Sequence, residues 1–405
     1  MTDPGLEEHQ AAVYEIAGRR YDLRTPGFPE AIARAHARQQ RPRCTCVPGG
    51  IETYVAKLHD GYVVKRMPET GNQHASSCPH FEPAADATGL RPLLGTAIRE
   101  DPVSGLTTLR LDFAMSRSAQ RQAPVPSATT APSSARNDQR LSLRGLLLYL
   151  WEQAGLTRWQ PGFAGKRPWA TVRRRLLQAA GDKIVGGRPL VDRLYVPEPF
   201  NVDERDVISR RRIASLTAAT AGPGSSGQLL LLIGELKEIA PARCGFKAVV
   251  KQVPDLAFTV EDRLYHQITR RLQPELALWN AADDIRMLMI ATFGMGPSGV
   301  PTMLELALVP TTRDWLPVKD VFEHQLIGRL VAENRSFLKG VHFHPRSLGL
   351  VPCATLIDCS KAAPQLFVAA NANLGMNLGT PSVLATEAKW VWQVTEGSMP
   401  ALPWH

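Results

Sequence analysis

Between Cys44 and His80 the chain reads CTCVPGGIETYVAKLHDGYVVKRMPETGNQHASSCPH, the one place where soft metal ligands recur at close spacing. Cys44 and Cys46 form a CxC pair, His74 and Cys78 an HxxxC pair, and His80 makes a CxH with Cys78. Four thiolate or imidazole donors complete a closed tetrahedral zinc site. Two ligand sets satisfy that count: Cys44, Cys46, His74 and Cys78, or the same set with His80 as the alternative ligand in place of His74. The residues between the pairs supply the means of bringing them together. Segments 54–57 (YVAK) and 62–65 (YVVK) are strand-like and flank Asp60-Gly61, a strong turn dipeptide. A hairpin returns the chain to its start, so ligands entering and leaving it can meet at one ion. In a helical turn His74 and Cys78 would share a face, because residues four apart stack.

The rest of the chain must provide bodies on which such a module rests. Its 405 residues suffice for two or three domains, and 44% apolar residues suffice for packed cores. A net charge of +9, with a pI near 9.4, favours an anionic partner, with nucleic acid first and DNA ahead of RNA. Six cysteines, three of them in the candidate metal site, do not make a disulfide framework. The first ten residues are acidic and lack an apolar core, unlike a secretory signal. No apolar run approaches the length of a membrane span. A cytoplasmic protein without membrane contact is expected.

In chain order, a helix is expected at 29–40, then the zinc module, then alternating strand-like residues within 89–114. Residues 116–139 are rich in Ser, Ala, Pro and Thr and read as a flexible linker. Residues 141–155 place Leu143, Leu146, Leu147, Leu150 and Trp151 at helical spacing, with Ser142 as N-cap. A second helix, 168–180, carries Arg173, Arg174 and Arg175, and 190–196 reads as a strand. Helix, turn, basic helix and strand follow one another as in a winged helix. Residues 136–213 hold sixteen Lys/Arg against eight Asp/Glu, a localised positive footprint. Lys166, Arg167, Arg173, Arg174 and Arg175 are the candidate phosphate contacts. Residues 217–228 form a second Gly/Ser/Thr-rich break. Beyond it, strands at 229–239, 244–250, 285–293, 302–309, 337–344, 354–357 and 365–369 alternate with helices at 261–279, broken near Pro274, and 318–333. That pattern predicts an α/β domain with a mixed sheet.

Other chemistry is weaker. Glu235-Leu236-Lys237 closes a hydrophobic strand, the local context of the acid-x-Lys half of a PD-(D/E)xK nuclease, where acids hold Mg²⁺ and the Lys steadies the attacking water or the phosphate. The partner acid is missing: Asp203 and Asp206 lie in a loop-like stretch. Asp358 ends a strand, but the next strand lacks the acid and the Lys. His342 and His344 would share a strand face and, with His324 or Asp358, offer a second metal site. Trp151, Trp159, Trp169 and Tyr195 cluster near the basic region and could stack on bases, although helical spacing makes Trp151 and Trp169 core residues. There is no P-loop and no dinucleotide fingerprint, which sets aside nucleoside triphosphatases and dinucleotide enzymes.

CTCVPGG with TYVAK, KRMPETGNQHASSC, RGLLLYLWEQAGLTRW, GKRPW, VPEPF, IGELKEI and WLPVKDVFEHQLIGRLVAENRSFLKG together resemble the bacterial family known as domain of unknown function 1173, over most of the chain. The resemblance implies a link with conjugative and integrative elements of proteobacteria, whose genomes often carry such genes. It favours Cys44, Cys46, His74 and Cys78 as the metal set and makes His80 a local feature. The CxC…CxH alternative is similar to the SWIM zinc finger.

The expected protein is an α+β multidomain chain. A zinc-stabilised, β-rich N-terminal module (1–115) leads through a linker (116–140) to a basic, winged-helix-like helical domain (141–216) and a C-terminal α/β domain (229–405). The expected role is nucleic-acid binding in the transfer, maintenance or control of a mobile element or plasmid, with structural zinc. The alternatives are a Mg²⁺-dependent nuclease with Glu235 and Lys237 as catalytic residues, degenerate or active, and a scaffold binding a protein partner through the C-terminal domain.

Overall fold

The computed structural model describes residues 12–58, 61–83, 90, 92–117, 140–220, 227–296, 299–343, 351–359, 363–369 and 389–403. The chain is α+β, with seven α-helices among the described residues and several mixed and antiparallel sheets. Contacts group it into two compact units. Unit 1 comprises Met1–Thr108, Thr157–Lys166 and Phe322–His405; unit 2 comprises Leu109–Leu156 and Arg167–Val321. From 118 to 139 the expected linker lies outside the described residues.

Unit 1 contains two five-stranded sheets. In the first, strands Arg19–Tyr21, Tyr14–Ile16, Arg43–Cys44, Ile51–Leu58 and Gly61–Arg66 lie side by side in that order. The expected hairpin is its edge, with Leu58 opposite Gly61 and a two-residue connection. Helix Phe28–Ala37 lays Phe28, Ala31, Ile32 and Ala35 on the sheet, the repeat of one helix face. In the second sheet, Arg158–Trp159, Phe337–Lys339, Ala354–Leu356 and Gln365–Ala369 pair antiparallel, and Lys389–Gln393 adds a parallel edge. Two ionic contacts lie deep in this unit. Lys339 Nζ donates to Glu323 Oε1 at 2.9 Å, both side chains being almost fully buried. Arg335 grips Asp358 through two nitrogens, at 2.9 Å each. The C-terminal segment is pinned: Trp390 Nε1 donates to the Ala401 carbonyl, and Arg335 to that of Pro403.

Unit 2 is built on strands Leu230–Pro241, Phe246–Val250, Val253–Val260, Arg286–Met295 and Pro301–Thr311. The first three form an antiparallel meander, the last two a hairpin. Residues 259–260 run parallel to 302–303, and Leu230–Leu236 pair antiparallel with Met287–Phe293, which closes the ring into a barrel. The first strand serves both neighbours because it shifts register between Leu236 and Glu238. Leu230, Leu232, Leu236, Val250, Phe258, Met289 and Phe293 fill the interior. Between the third and fourth strands, helix Asp262–Arg271 adds Leu264 and Ile268 to that core, and helix Gln273–Ala281 packs Leu276 and Trp279 against it. They meet near Pro274, where one broken helix was expected; proline fits the first turn of a new helix but not the interior of a continuous one.

Helices Leu143–Gln153 and Trp169–Ala180 also belong to unit 2, and the Ser142 side chain caps the first by accepting from the Gly145 amide. Three elements depart from the sequence expectation. Residues 190–196 form a 3-10 turn, Val191–Arg193, and a two-residue strand, Leu194–Tyr195, parallel to Leu231–Leu232. Strand Val253–Val260 was not expected at all. Helix Arg205–Thr220 occupies a stretch read as loop and flexible break. Among its described side chains Ile208, Arg212 and Leu216 are the buried ones, and Arg212 is held by a bidentate pair with Asp255 (2.6 and 3.0 Å).

Candidate metal centre

The ligand-bearing residues of unit 1 are positioned by backbone. Cys44 lies in a two-residue strand held between Tyr14 on one side and Ile51 on the other. After Cys46 the chain reverses through Val47–Gly50, closed by the Gly50 amide on the Val47 carbonyl. Gly50 sits at φ 65°, and a Cβ there would lie 3.3 Å from the Cys44 carbonyl oxygen. Arg43 ties the turn by donating to the Gly49 and Gly50 carbonyls. On the other side, a 3-10 turn Gly71–Gln73 delivers His74, and tight turns, rather than a helix, carry the chain to Cys78.

The sulfurs of Cys44, Cys46 and Cys78 and one ring nitrogen of His74 all lie within 4.8 Å of one another. Cys44 Sγ is 3.7 Å from Cys78 Sγ, and His74 Nδ1 is 3.3 Å from Cys46 Sγ and 3.7 Å from Cys78 Sγ. Zinc bonds of about 2.3 Å to sulfur and about 2.0 Å to nitrogen, at tetrahedral angles, give edges of roughly 3.5–3.8 Å. The three separations of 3.3–3.7 Å are close to that size, and the others do not exceed 4.8 Å. Cys44, His74 and Cys78 are buried and Cys46 half-buried. Without a cation these thiols compete for charge. The hydrogen bond from Cys78 pulls the Cys44 thiol down to about 4, and the same bond, with burial, pushes Cys78 up. A divalent cation removes this conflict by stabilising all the thiolates together. The cluster therefore fits a metal ion, and its donor set is compatible with zinc.

His80 lies beside the cluster but outside the set that converges. Its Nε2 is 2.7 Å from the Tyr14 hydroxyl, and its backbone N–H donates to Cys78 Sγ. Burial lowers its pKa to about 4 and raises that of Tyr14, so this pair stays neutral. Two arginines brace the loop. Arg158 donates to the carbonyls of Cys78 (3.2 Å) and Phe81 (3.0 Å), and Arg66 pairs with Glu82. Sequence reasoning missed Tyr14, Arg66 and Arg158; Arg158 lies 80 residues from Cys78, whose carbonyl it holds. No local spacing announces them.

The candidate phosphate contacts divide. Lys166 and Arg174 are exposed. Arg167 is buried, donates to the Leu156 carbonyl, and is pushed down to about 9 by burial. Arg173 donates to the Val196 carbonyl and Arg175 to that of Ala154. The tryptophans are core residues. Trp151 donates to the Trp315 carbonyl, Trp169 to that of Pro197, and Trp159 is fully buried. Directly after helix Trp169–Ala180, a hairpin pairs Lys183–Val185 with Arg188–Pro189 across Gly186 and Gly187, both at positive φ. The sequence expectation did not include this hairpin, although its Gly-Gly dipeptide is a two-residue turn signal.

At the nuclease candidate, Glu235 is buried and meets cations rather than carboxylates: Lys251 Nζ at 2.6 Å and Arg286 at 3.5 Å. Lys237 is exposed at the register shift. Asp206 is in the first turn of helix Arg205–Thr220, and Asp358 is held by Arg335. His344 lies outside the described residues. Among the described residues, no group of three metal-binding side chains other than the Cys44 cluster comes together. No helix among them is long and apolar enough to cross a membrane.

Fold and site together define an α+β protein with a Cys/His cluster able to hold a metal ion. The chain belongs to the family of proteins of unknown function DUF1173, whose family model matches residues 14–395. No curated protein and no solved structure matches it.

Proposed function

We propose that the chain is a nucleic-acid-binding protein, with DNA the preferred partner, whose N-terminal module is held by a structural zinc ion. The observation that carries this reading is the order of elements in unit 2. Two helices pack on each other, and the second, which is basic, runs straight into a short hairpin with a glycine tip. That order supports a winged-helix-like reading, in which the basic helix enters a groove and the hairpin flanks it. Ala170, Arg174 and Gln178, four residues apart, form the exposed stripe of the helix, and Arg188 is exposed on the hairpin. Zinc is structural in this reading because four protein donors leave no open position for a substrate. The family resemblance supports a role in the transfer, maintenance or control of a mobile element. The surroundings of Glu235 lend no support to a nuclease, since two cations already neutralise the carboxylate that Mg²⁺ would need.

The test is retention on duplex DNA as a function of salt. Each phosphate contact contributes about 0.9 to the slope of log affinity against log salt. Arg174→Ala and Arg188→Ala should each lower that slope by about one contact and weaken binding uniformly across sequences. Unchanged retention in the double variant would refute the winged-helix assignment. Retention that ignores salt would refute nucleic-acid binding.

A further inference from the structure

The barrel of unit 2 has a diagnostic strand order. Numbered from Leu230–Pro241, its strands run 1-2-3-5-4 and return to 1. Strands 3 and 5 are parallel over two residues, strand 1 bends to serve strands 2 and 4, and helix Asp262–Arg271 falls between strands 3 and 4. This is the topology of an OB barrel, in which the face of strands 2 and 3 and the loop between strands 1 and 2 meet the ligand. A shared fold is not a shared function, so the site must carry the argument.

At that place the chain presents the two groups a single strand needs, a π-surface for bases and cations for phosphates. Phe246, which opens strand 2, stacks on Tyr265 of the following helix, with ring centroids 3.5 Å apart and planes 11° apart. Both rings are half-buried, at the rim of the barrel core. Arg243 is exposed in the 1–2 turn, Lys247 on strand 2 opposite Thr259, and Arg263 in the first turn of the helix. The turn holds this arrangement close: Gly245 sits at φ 74°, and a Cβ there would lie 2.8 Å from the Val260 carbonyl oxygen. Glu261 and Asp262 are exposed nearby and set a limit on the local positive charge.

We infer that this end of the barrel binds single-stranded nucleic acid, with Tyr265 stacked on Phe246 as a base platform, Arg243 in the adjoining turn on one phosphate, and Lys247, on the outer side of the same strand, on the next. The inference rests on the nucleic-acid reading above but uses a different surface from the helix and hairpin.

The experiment compares the full chain's affinity for an oligothymidine of about 16 nucleotides, the upper site size of one such barrel, with that for a duplex of equal length. The Arg243→Glu/Lys247→Glu variant should weaken single-strand binding about tenfold or more and leave duplex binding unchanged, since two phosphate contacts are replaced by repulsion. Tyr265→Ala should weaken it about fivefold or more through lost stacking. Because Tyr265 also packs on the core, the exposed charge variant keeps the test valid if that variant unfolds. Photocrosslinking of a bromodeoxyuridine oligomer should label a peptide containing Phe246 or Tyr265. Single-strand binding equal in wild type and charge variant, or crosslinks confined to other segments, overturns the inference while the duplex reading stands. Failure to bind either nucleic acid overturns both.

Discussion

Cys44 shows how a single position decides the chemistry available to a site. It is buried between two strands, 3.7 Å from the Cys78 sulfur, and its thiolate can persist there only if something positive or a shared proton answers it. Elemental analysis should return about one zinc per chain, and Cys44→Ser or Cys78→Ser should remove it, since a tetrahedral structural site needs all four donors. His80→Ala should keep zinc at the same stoichiometry while weakening its retention against a chelator about tenfold, as expected of a neighbour that orients the ligand loop rather than binding the ion. Equal zinc loss in His80→Ala and His74→Ala would show that the ligand assignment is wrong. A different single-residue constraint operates at Gly340, where an added Cβ would fall 1.9 Å from the Pro352 carbonyl oxygen. Backbone cannot move aside as a flexible side chain can. Gly340→Ala should therefore lower the denaturation midpoint by an amount corresponding to about 3 kcal/mol, at the high end for an overpacked site; a change within about 0.5 kcal/mol, the usual range for surface substitutions, would contradict the close approach.

At the scale of elements, ion pairs do part of the work usually done by apolar faces. Helix Val321–Ala332 is joined to strand Phe337–Lys339 through Glu323 and Lys339, both almost fully buried. Removing one partner strands a buried charge, so Glu323→Ala should cost about 3–5 kcal/mol in chemical denaturation. The double change Glu323→Leu/Lys339→Met should recover most of that loss, because neither charge is then left alone. Helix Arg205–Thr220 depends on Asp255 in a similar way. Its hydrogen bonds to Arg212 hold the Asp255 carboxyl below the usual range. A depressed acid stabilises the fold above its unfolded pKa, near 3.9, and loses that contribution as pH falls through the lower folded value. Protection of the helix amides from hydrogen exchange should therefore be constant above about pH 5 and decline below about pH 4. Asp255→Asn should abolish that decline; a variant that titrates like the wild type would assign it to another acid.

Across the whole molecule, each unit gathers stretches far apart in sequence. The second sheet of unit 1 pairs Arg158–Trp159 with Phe337–Lys339, and the barrel of unit 2 closes by joining the strand at Leu230 to the one at Phe293. Such non-local pairings carry a loop-closure cost and favour slow folding. A metal ion held by the Cys44 cluster would act on one side of this balance only. Chelation should loosen the hairpin Ile51–Arg66 and helix Phe28–Ala37, whose core includes Cys44 and Cys78, and leave amide protection in the barrel unchanged. Equal loss of protection in both places would show that the two cores share one cooperative transition.

What the sequence determined by itself was local. The cysteine and histidine candidates, the hairpin between the pairs, the Ser142 cap and the amphipathic helices are written in nearest-neighbour chemistry and period, whereas the choice of His74 over His80 came from the way the chain folds. Tertiary structure decided the rest. Strand Val253–Val260 carries Pro254 and Asp255, which disfavour strands, yet forms because partners on both sides pair with it. Among the described side chains of helix Arg205–Thr220, Ile208 and Leu216 are the buried apolar anchors, and an ion pair invisible to any hydropathy pattern supplies a third. Which arginines remain exposed, which carboxylate meets a cation, and that five strands close on themselves are consequences of contacts between residues remote in the chain, and spacing along a sequence carries no record of them.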